Sequence, residues 1–355
     1  MNAAASISDT SATTSGEAMR GPAAPRGRHA GDLAPGEILF RANPKTRYRS
    51  IIVIDGIIPG PALGSFGVVH DGDATGALRL ALRSARSATR QAALADLPFG
   101  GGFAALIAPD GPLDHAALHE SLDESVRLTQ GRFQATADER GAPRPGAQGM
   151  GATTASALGM FLAIEEGLRR QRIALKGATV AIHGLADVGL ALGERLHEAG
   201  ARLVVADADP LRAHAAARLL DAQVVDEARI LATPCDVLVP CARGGARFAT
   251  PATRIAAALV CGTAADPLFD VVDEHGLLWL PDDLVASGGL IAASLLPRRP
   301  RPGHELVEAI YGIGQRVHEF AERRGHGCTR EVADAWIAEK LAARPAWSGW
   351  PTLPR

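Results

Sequence analysis

A short glycine-rich turn between two apolar runs constrains this chain more than any other feature. Thr179 to His183 is rich in strand-forming residues, and it stops at Gly184-Leu185-Ala186-Asp187-Val188-Gly189. This is the G-x-G-x-x-G pattern with alanine at the second glycine, in which small residues let a pyrophosphate and a helix approach the backbone closely. Apolar residues then recur at helical spacing until Gly200, which is placed to end the helix. The pattern predicts a strand, turn and helix that bind a dinucleotide.

An acidic residue follows the next predicted strand. Leu203 to Ala206 is apolar, and Asp207 comes about 20 residues after the glycine turn, where a carboxylate accepts hydrogen bonds from the adenosine ribose. A carboxylate there also repels a 2′-phosphate, so we expect NAD as the cofactor rather than NADP. The alternative is an α/β crossover that binds nothing.

Composition excludes several classes of partner. The chain has 355 residues, of which 47% are apolar, and a formal net charge of −2, so it can form two packed domains. Among its 37 basic residues only three are lysines, namely Lys45, Lys176 and Lys340, and the rest are arginines. The basic residues form no dense cluster, which argues against a nucleic-acid partner. The four cysteines lack the spacing of a zinc site, so we expect no metal and reduced thiols. No apolar run has the length of a membrane span or the position of a secretory signal, so we expect no membrane association and a cytoplasmic location.

The chain divides into four predicted segments. Residues 1–35 are poor in large apolar side chains and are predicted to be a disordered extension. Residues 36–150 are predicted to form an α/β substrate and assembly domain, and residues 151–304 an NAD-binding Rossmann domain, because strands there alternate with helices as in a doubly wound parallel sheet. Residues 305–345 read as helices that fold back on the first domain. A glycine- and proline-rich stretch, residues 141–151, is the predicted hinge.

Two stretches of the first domain have glycine-rich sequences. Gly60 to Gly64 is predicted to be a loop, and Gly100-Gly101-Gly102 is predicted to be a second loop before a short strand from Ala104 to Ile107. Three consecutive glycines cost backbone entropy, so the triplet indicates close approach of a ligand, with a purely structural turn as the alternative. Between them, Asp73 is predicted to cap a helix that runs to Arg90.

The order of motifs resembles the glutamate/leucine/phenylalanine/valine dehydrogenase family, and most closely its leucine dehydrogenase type. The resemblance covers roughly Arg47 to Ala343. Its motifs are Gly60-Pro61-Ala62-Leu63-Gly64, Gly100-Gly101-Gly102, Gly131-Arg132-Phe133 with Asp138, Thr154-Ala155, Gly184 to Gly189, Cys235-Asp236, Pro240-Cys241-Ala242, Pro281-Asp282 and Gly288-Gly289. The resemblance implies that an amino acid is oxidatively deaminated, with NAD as the oxidant, in a cleft between two domains. It also implies a homo-oligomer that assembles through the N-terminal domain.

The resemblance also implies the site residues. Asp138 matches a residue of the reaction chemistry. The substrate pocket corresponds to Gly64, Gln91, Gly101, Gly102, Phe103, Ala286 and Leu290. The cofactor site corresponds to Thr154, Gly184, Leu185, Ala186, Asp187, Val188, Gly189, Asp207, Cys241, Ala242, Thr263 and Ala265.

The sequence departs from the family at the residues that carry its chemistry. A lysine follows the triple glycine in these dehydrogenases and assists the attack of water on the imino acid, but here the position is Phe103. A second lysine pairs with the substrate α-carboxylate, and here that position is Gln91. Family asparagines near the substrate and nicotinamide correspond to Ala265, Asp266 and Ala286. Arg90 is a candidate replacement cation, although one residue along a helix is a rotation of about 100°.

These departures leave alternatives open. Asp138 is either a proton carrier or a loop-capping residue, and Phe103 is either a wall of the substrate pocket or a filler of a vacated one. For function, the first hypothesis is an NAD-dependent oxidoreductase of an amino-acid-derived amine, imine or carbonyl compound. The second is a non-catalytic NAD-binding partner or sensor. The third is a conventional leucine, valine or phenylalanine dehydrogenase with a relocated base.

Overall fold

The computed structural model describes residues 36–55, 61–70, 73–138, 150–242, 255–263, 277–295, 303–325 and 327–344. All of them belong to one compact unit, Leu33–Arg355, so the domain boundary predicted at residue 150 stays a prediction. The predicted extension, most of the predicted hinge, Ala265 and Asp266 lie outside the described residues.

The first half of the chain forms a mixed sheet of five described strands in the order β1-β2-β4-β3-β5. Strand β2 is antiparallel to β1 and β4, whereas β3 is parallel to β4 and β5. Helices α1 and α2 cover opposite faces of this sheet through separate apolar clusters. The bounds are β1 Glu37–Ala42, β2 Arg49–Ile54, β3 Ala62–Val69, α1 Ala74–Leu94, β4 Gly100–Ile107, α2 His115–Leu128 and β5 Phe133–Asp138.

The glycine triplet lies in a strand, so the prediction of a loop was wrong. Gly100 to Gly102 open β4, and Gly64, also predicted to lie in a loop, belongs to β3. A Cβ atom on Gly64 would lie 1.7 Å from the carbonyl oxygen of Gly102, and one on Gly101 would lie 2.1 Å from that of Ala85 in α1. These glycines are therefore required because two strands and a helix pack backbone against backbone.

The second half of the chain forms the predicted parallel sheet, with six described strands in the order β11-β10-β9-β6-β7-β8. Helices α3, α4 and α5 contribute to the large core on one face, and a 3-10 turn at Ile230–Ala232 packs on the other. The bounds are α3 Ala152–Arg170, β6 Thr179–His183, α4 Asp187–Glu198, β7 Arg202–Ala206, α5 Pro210–Leu220, β8 Gln223–Val224, β9 Val237–Pro240, β10 Leu259–Val260, β11 Leu278–Trp279, α6 Asp282–Val285 and α7 Gly288–Leu295.

Two C-terminal helices, α8 Gly303–Arg324 and α9 Thr329–Ala342, pack against both halves. Lys340 Nζ lies 2.6 Å from Asp96 Oδ1 in the connection that follows α1. Arg344 donates a 3.1 Å hydrogen bond from Nη1 to the Phe99 carbonyl, directly before the glycine triplet. The tail therefore contacts the first half of the chain, and its role in completing a first domain stays a prediction.

Candidate functional site

The predicted dinucleotide turn lies at the carboxyl edge of the parallel sheet. Strand β6 ends at His183, and Gly184 then adopts a φ of +93°, which L side chains rarely tolerate. A Cβ atom on Gly184 would lie 2.5 Å from the amide nitrogen of Ala242, and one on Gly189 would lie 2.0 Å from the Gly184 carbonyl oxygen. Both glycines are therefore required by close backbone packing, as the sequence pattern predicts.

The helix that follows this turn begins without a side-chain cap. Ala186 occupies the N-cap position of α4 and forms no side-chain capping bond, whereas Asp209 caps α5 through the amides of Leu211 and Arg212. An uncapped helix N-terminus after a tight glycine turn offers backbone N–H donors and a positive dipole end to an anion. This arrangement fits the pyrophosphate of a dinucleotide. The exposed Asp187 in the first turn adds a negative charge to the same position.

Asp207 is buried, and its carboxylate binds groups of this chain. Its side chain is 4% exposed, and Oδ2 accepts a 2.7 Å hydrogen bond from the backbone N–H of Leu185. Oδ1 accepts hydrogen bonds of 2.9 Å from the amide of Asp209 and from Nη1 of Arg212, whose side chain is 47% exposed. Asp207 therefore fastens the glycine turn to the beginning of α5. Its predicted contact with the ribose stays a prediction.

Further predicted cofactor residues lie beside the turn. Cys241 donates its amide to the His183 carbonyl at 2.7 Å, and the amide of Thr263 donates to Pro240 at 2.9 Å. Burial raises the pKa of the Cys241 thiol to about 11, and a hydrogen bond with Thr263 partly offsets that effect. Thr154 is exposed in the first turn of α3. The carboxyl edge thus brings together Gly184, Leu185, Ala186, Asp187, Val188, Gly189, Asp207, Cys241, Ala242 and Thr263.

The predicted substrate residues lie where the first sheet meets α7. Gly64 pairs with Gly102 across β3 and β4, and the amide of Gly101 donates to Thr89 Oγ1 at 3.0 Å. Leu290 of α7 packs in an apolar cluster with Leu63, Ala92 and Phe99 of the first half. Ala286 ends α6 one turn before Leu290. The structure therefore brings the amino-terminal ends of β3 and β4 against α7, the second helix after the last strand of the second sheet.

Phe103 belongs to the core of the first half. Its side chain is 3% exposed and packs in a cluster with Val53, Ala81 and Ala85. The ring therefore occupies the space between the sheet and α1, which favours the interpretation of Phe103 as a filler.

Asp138 is the last residue of β5 and pairs in register with Phe66. Its backbone therefore continues the sheet instead of forming a loop. The side chain of Asp138 lies outside the described part of the structure, so its role as a proton carrier stays a prediction.

Arg90 does not provide a replacement cation for the substrate. Its Nε donates to Asp283 Oδ2 on α6, and its Nη1 donates to Asp334 Oδ1 on α9 at 2.7 Å. Burial by itself lowers the pKa of Arg90, but the two carboxylates outweigh it and hold the pKa above its ordinary value. The structure therefore does not support Arg90 as the replacement cation, because its guanidinium is already paired with two carboxylates of this chain.

Gln91 joins the same cluster through Ser87, one turn earlier on α1. Its Nε2 donates to Ser87 Oγ at 3.1 Å, and the Ser87 hydroxyl donates to Asp283 Oδ1 at 2.8 Å. Sequence reasoning missed Ser87, Asp283 and Asp334. The Asp282-Asp283 pair directly after β11 is a visible signal, but nothing in the sequence identifies its partners on α1.

The described residues contain no group of three or more histidine, cysteine, aspartate or glutamate side chains arranged to hold a metal ion. Within the same ranges, no helix combines the length and apolar character that crossing a bilayer requires.

Comparisons with known proteins agree with this arrangement, although no profile of a protein family matches the chain. An L-tryptophan dehydrogenase of Nostoc punctiforme is 31% identical over 314 residues, which cover 81% of this chain and 88% of that protein. A leucine dehydrogenase of Geobacillus stearothermophilus is 27% identical over 86% of this chain and 90% of its own length. The crystal structure of L-tryptophan dehydrogenase from Nostoc punctiforme matches with a TM-score of 0.64 and 27% identity, over 86% of this chain and 95% of that one. The chain therefore belongs to the amino-acid dehydrogenase family that includes leucine and L-tryptophan dehydrogenases.

Proposed function

We propose that the protein is an NAD-dependent oxidoreductase that acts on a small amine, imine or carbonyl compound derived from an amino acid. One observation carries this proposal. The dinucleotide turn at Gly184 keeps the close packing of a nucleotide cradle, while Gln91 and the buried Phe103 replace the two lysines of deamination. Hydride transfer requires a nicotinamide held against the reacting carbon, and this requirement does not involve either lysine.

The residues of the carboxyl edge have separate tasks in this proposal. The first turn of α4 holds the pyrophosphate, and Asp207 keeps the turn in position through the Leu185 amide. Bound NAD would accept a hydride from the carbon that carries nitrogen, which leaves an imine and releases one proton. Asp138, at the end of β5, or water would carry that proton.

The cofactor and the assembly are further parts of the proposal. We propose NAD over NADP because Asp207 and Asp209 place two carboxylates beside one guanidinium, that of Arg212, where a 2′-phosphate would lie. We also propose a cytoplasmic homo-oligomer that assembles through the N-terminal half, as the family resemblance implies.

A second candidate is an NAD-binding partner or sensor without catalysis. The replacement of both lysines favours this candidate, because a phenyl ring transfers no proton and an amide does not neutralise a carboxylate. It predicts binding of NADH without turnover, together with a change in assembly or partner affinity. The third candidate, a conventional dehydrogenase with a relocated base, predicts reduction of NAD by L-leucine, L-valine or L-phenylalanine at alkaline pH.

One experiment separates the three candidates. Calorimetric titration with NADH is followed, in the same preparation, by a panel of amino acids, keto acids, amines and ketones, with absorbance at the nicotinamide band as the readout. Turnover of an amine or carbonyl compound supports the proposed function, turnover of the L-amino acids supports the conventional one, and binding without turnover supports the sensor. Absence of NADH binding contradicts all three.

A further inference from the structure

A charged cluster formed by Ser87, Arg90, Gln91, Asp283 and Asp334 joins α1 to α6 and α9. It lies at the edge where an open parallel sheet binds its ligands. Asp283 follows β11 and Pro281, so it lies at the carboxyl edge that also carries the Gly184 turn. Ligands of such sheets bind outside the carboxyl ends of the strands. Ser87 of α1, which packs on the first sheet, donates to Asp283, and Gln91 donates to Ser87 from one turn further along α1. The cluster is therefore part of the wall between the two halves of the molecule.

The cluster carries an excess of negative charge. The Arg90 guanidinium pairs with two carboxylates, those of Asp283 and Asp334, which leaves one negative charge without a partner inside the cluster. Asp283 is only 15% exposed at its side chain, so this charge lies in a region where water screens it weakly. An anionic ligand at this wall would be repelled.

The hydrogen-bond donors of the cluster point toward Asp283. The Ser87 hydroxyl has a single hydrogen, which it donates to Asp283 Oδ1, and one N–H of Gln91 is donated to Ser87. Arg90 donates to Asp283 and Asp334. A weakly screened carboxylate needs positive charge, and the guanidinium of this cluster is directed to the cluster's own aspartates. The second N–H of Gln91 is neutral and serves a carbonyl oxygen as well as a carboxylate. A neutral carbonyl compound or an ammonium group meets no such penalty.

We propose that Asp283 makes the site select substrates that lack an α-carboxylate, namely neutral ketones and the primary amines that correspond to them. This inference rests on the proposed function and identifies its substrate class. The apolar cluster of Leu63, Phe99 and Leu290, which also contains Ala92 of α1, is buried and offers no charged group to a carboxylate. Asp283 is a specificity-determining residue in this proposal, and Ser87 and Gln91 are positioning residues.

Binding of a matched pair of ligands tests the inference. 4-Methylpentan-2-one and 4-methyl-2-oxopentanoate share one carbon skeleton and differ by a methyl group in place of the carboxylate. Each is titrated calorimetrically into the full chain saturated with NADH. We expect the ketone to bind at least about tenfold more tightly than the keto acid. Asp283→Asn is expected to raise the affinity for the keto acid about fivefold and to leave that for the ketone within about twofold.

Glu166→Gln is the matched control. Glu166 is also 15% exposed and paired with an arginine, Arg169, but it lies on α3 beside His318 of α8. We expect it to leave the ligand preference unchanged. Gln91→Lys provides a second variant if Asp283→Asn does not fold. The new lysine adds a cation at a partly exposed position, so we expect this variant also to bind the keto acid more tightly than the native protein does.

Three results would overturn the inference. The first is a native protein that binds the keto acid more tightly than the ketone. If Arg344→Gln then abolishes that preference, the guanidinium beside Phe99 is the carboxylate partner instead. The second is an Asp283→Asn variant in which both affinities shift equally. The third is the absence of NADH binding, which would remove the proposed function and this inference together. By contrast, NADH binding with a preference for the keto acid would remove only the inference.

Discussion

The backbone N–H of Leu185 donates a 2.7 Å hydrogen bond to the buried carboxylate of Asp207. Replacing Asp207 by alanine leaves that amide and the Asp209 amide without their acceptor and Arg212 without one of its two carboxylates. We expect Asp207→Ala to lower the free energy of unfolding by about 2–4 kcal/mol and to weaken NADH binding at least about tenfold. Urea unfolding and calorimetry measure the two effects.

Asp209→Ala is the control for Asp207, because it removes a helix cap without touching the glycine turn. We expect it to cost about 1 kcal/mol of stability and to leave NADH affinity unchanged. Equal losses of NADH affinity in the two variants would contradict a separate role for Asp207.

Gly184 and Gly200 both have positive φ values, +93° and +82°, but only Gly184 packs against another backbone. We expect Gly200→Ala to cost about 1 kcal/mol through backbone strain and to keep NADH binding. Gly184→Ala adds a clash with Ala242 and is expected to abolish NADH binding. A Gly184→Ala variant with native affinity would show that the turn does not hold the cofactor.

Asp187 places an exposed carboxylate in the first turn of α4, where the pyrophosphate is proposed to bind. Asp187→Asn removes a like charge, so we expect NADH to bind roughly twofold to fivefold more tightly. The gain is expected to shrink in high salt, because salt screens exposed charges. Glu194→Gln, further along the same helix, is expected to leave the affinity unchanged, and titration at low and high salt compares the two variants.

Three thiols with raised pKa values predict a loss of stability at alkaline pH. Cys261 is fully buried, and burial holds its pKa well above the ordinary value. Burial raises the pKa of Cys241 to about 11. Burial, together with the nearby Asp236 carboxylate, raises the pKa of Cys235 to about 12. Unfolded cysteines titrate near about 8.5, so the stability is complete below that pH. Above it the unfolded state loses protons first, and stability falls by up to about 1.4 kcal/mol per pH unit for each thiol until the folded pKa is reached.

Urea unfolding between pH 8 and 11 measures this loss in the native protein and in Cys241→Ala. We expect a shallower decline in the variant, since it has one titrating thiol fewer. Parallel declines would contradict the raised pKa of Cys241.

The core position of Phe103 predicts that the family lysine cannot simply be restored. Phe103→Lys would place an ammonium group among Val53, Ala81 and Ala85, so we expect a loss of about 3–5 kcal/mol in unfolding free energy and no gain in deamination. Gln91→Lys, at a partly exposed position, is expected to fold normally. Leucine-dependent reduction of NAD by the double variant Gln91→Lys/Phe103→Lys would contradict this prediction, because it would show that the deamination pocket has kept its shape.

The sequence predicted the second sheet well because its signals are local. The turn from Gly184 to Gly189 and the end of α4 near Gly200 each depend on a few neighbouring residues, as does the predicted cap at Asp73 in the first half. The glycine triplet was misassigned because glycine normally disfavours strands. Its reason for being in β4 is the close approach of α1 and β3, which the sequence does not reveal.

The candidate site was less predictable because its key contacts join distant residues. The sequence offers Arg90 as a candidate cation for the substrate, and only the fold shows that Asp283 and Asp334 approach it from two other helices. In the same way, the spacing of Asp207 indicates a ribose contact, whereas its bond to Leu185 and its pairing with Arg212 appear only in the fold.

We propose above all that the chain retains a nucleotide cradle but lacks the lysines of deamination. The most direct test of this proposal is calorimetric titration of the native protein and of Gly184→Ala with NADH. L-leucine, L-phenylalanine and L-tryptophan are then each added together with NAD. We predict binding of NADH to the native protein, loss of that binding in the variant and no reduction of NAD by the three amino acids. Absence of NADH binding to the native protein, or rapid reduction of NAD by any of these amino acids, would contradict it.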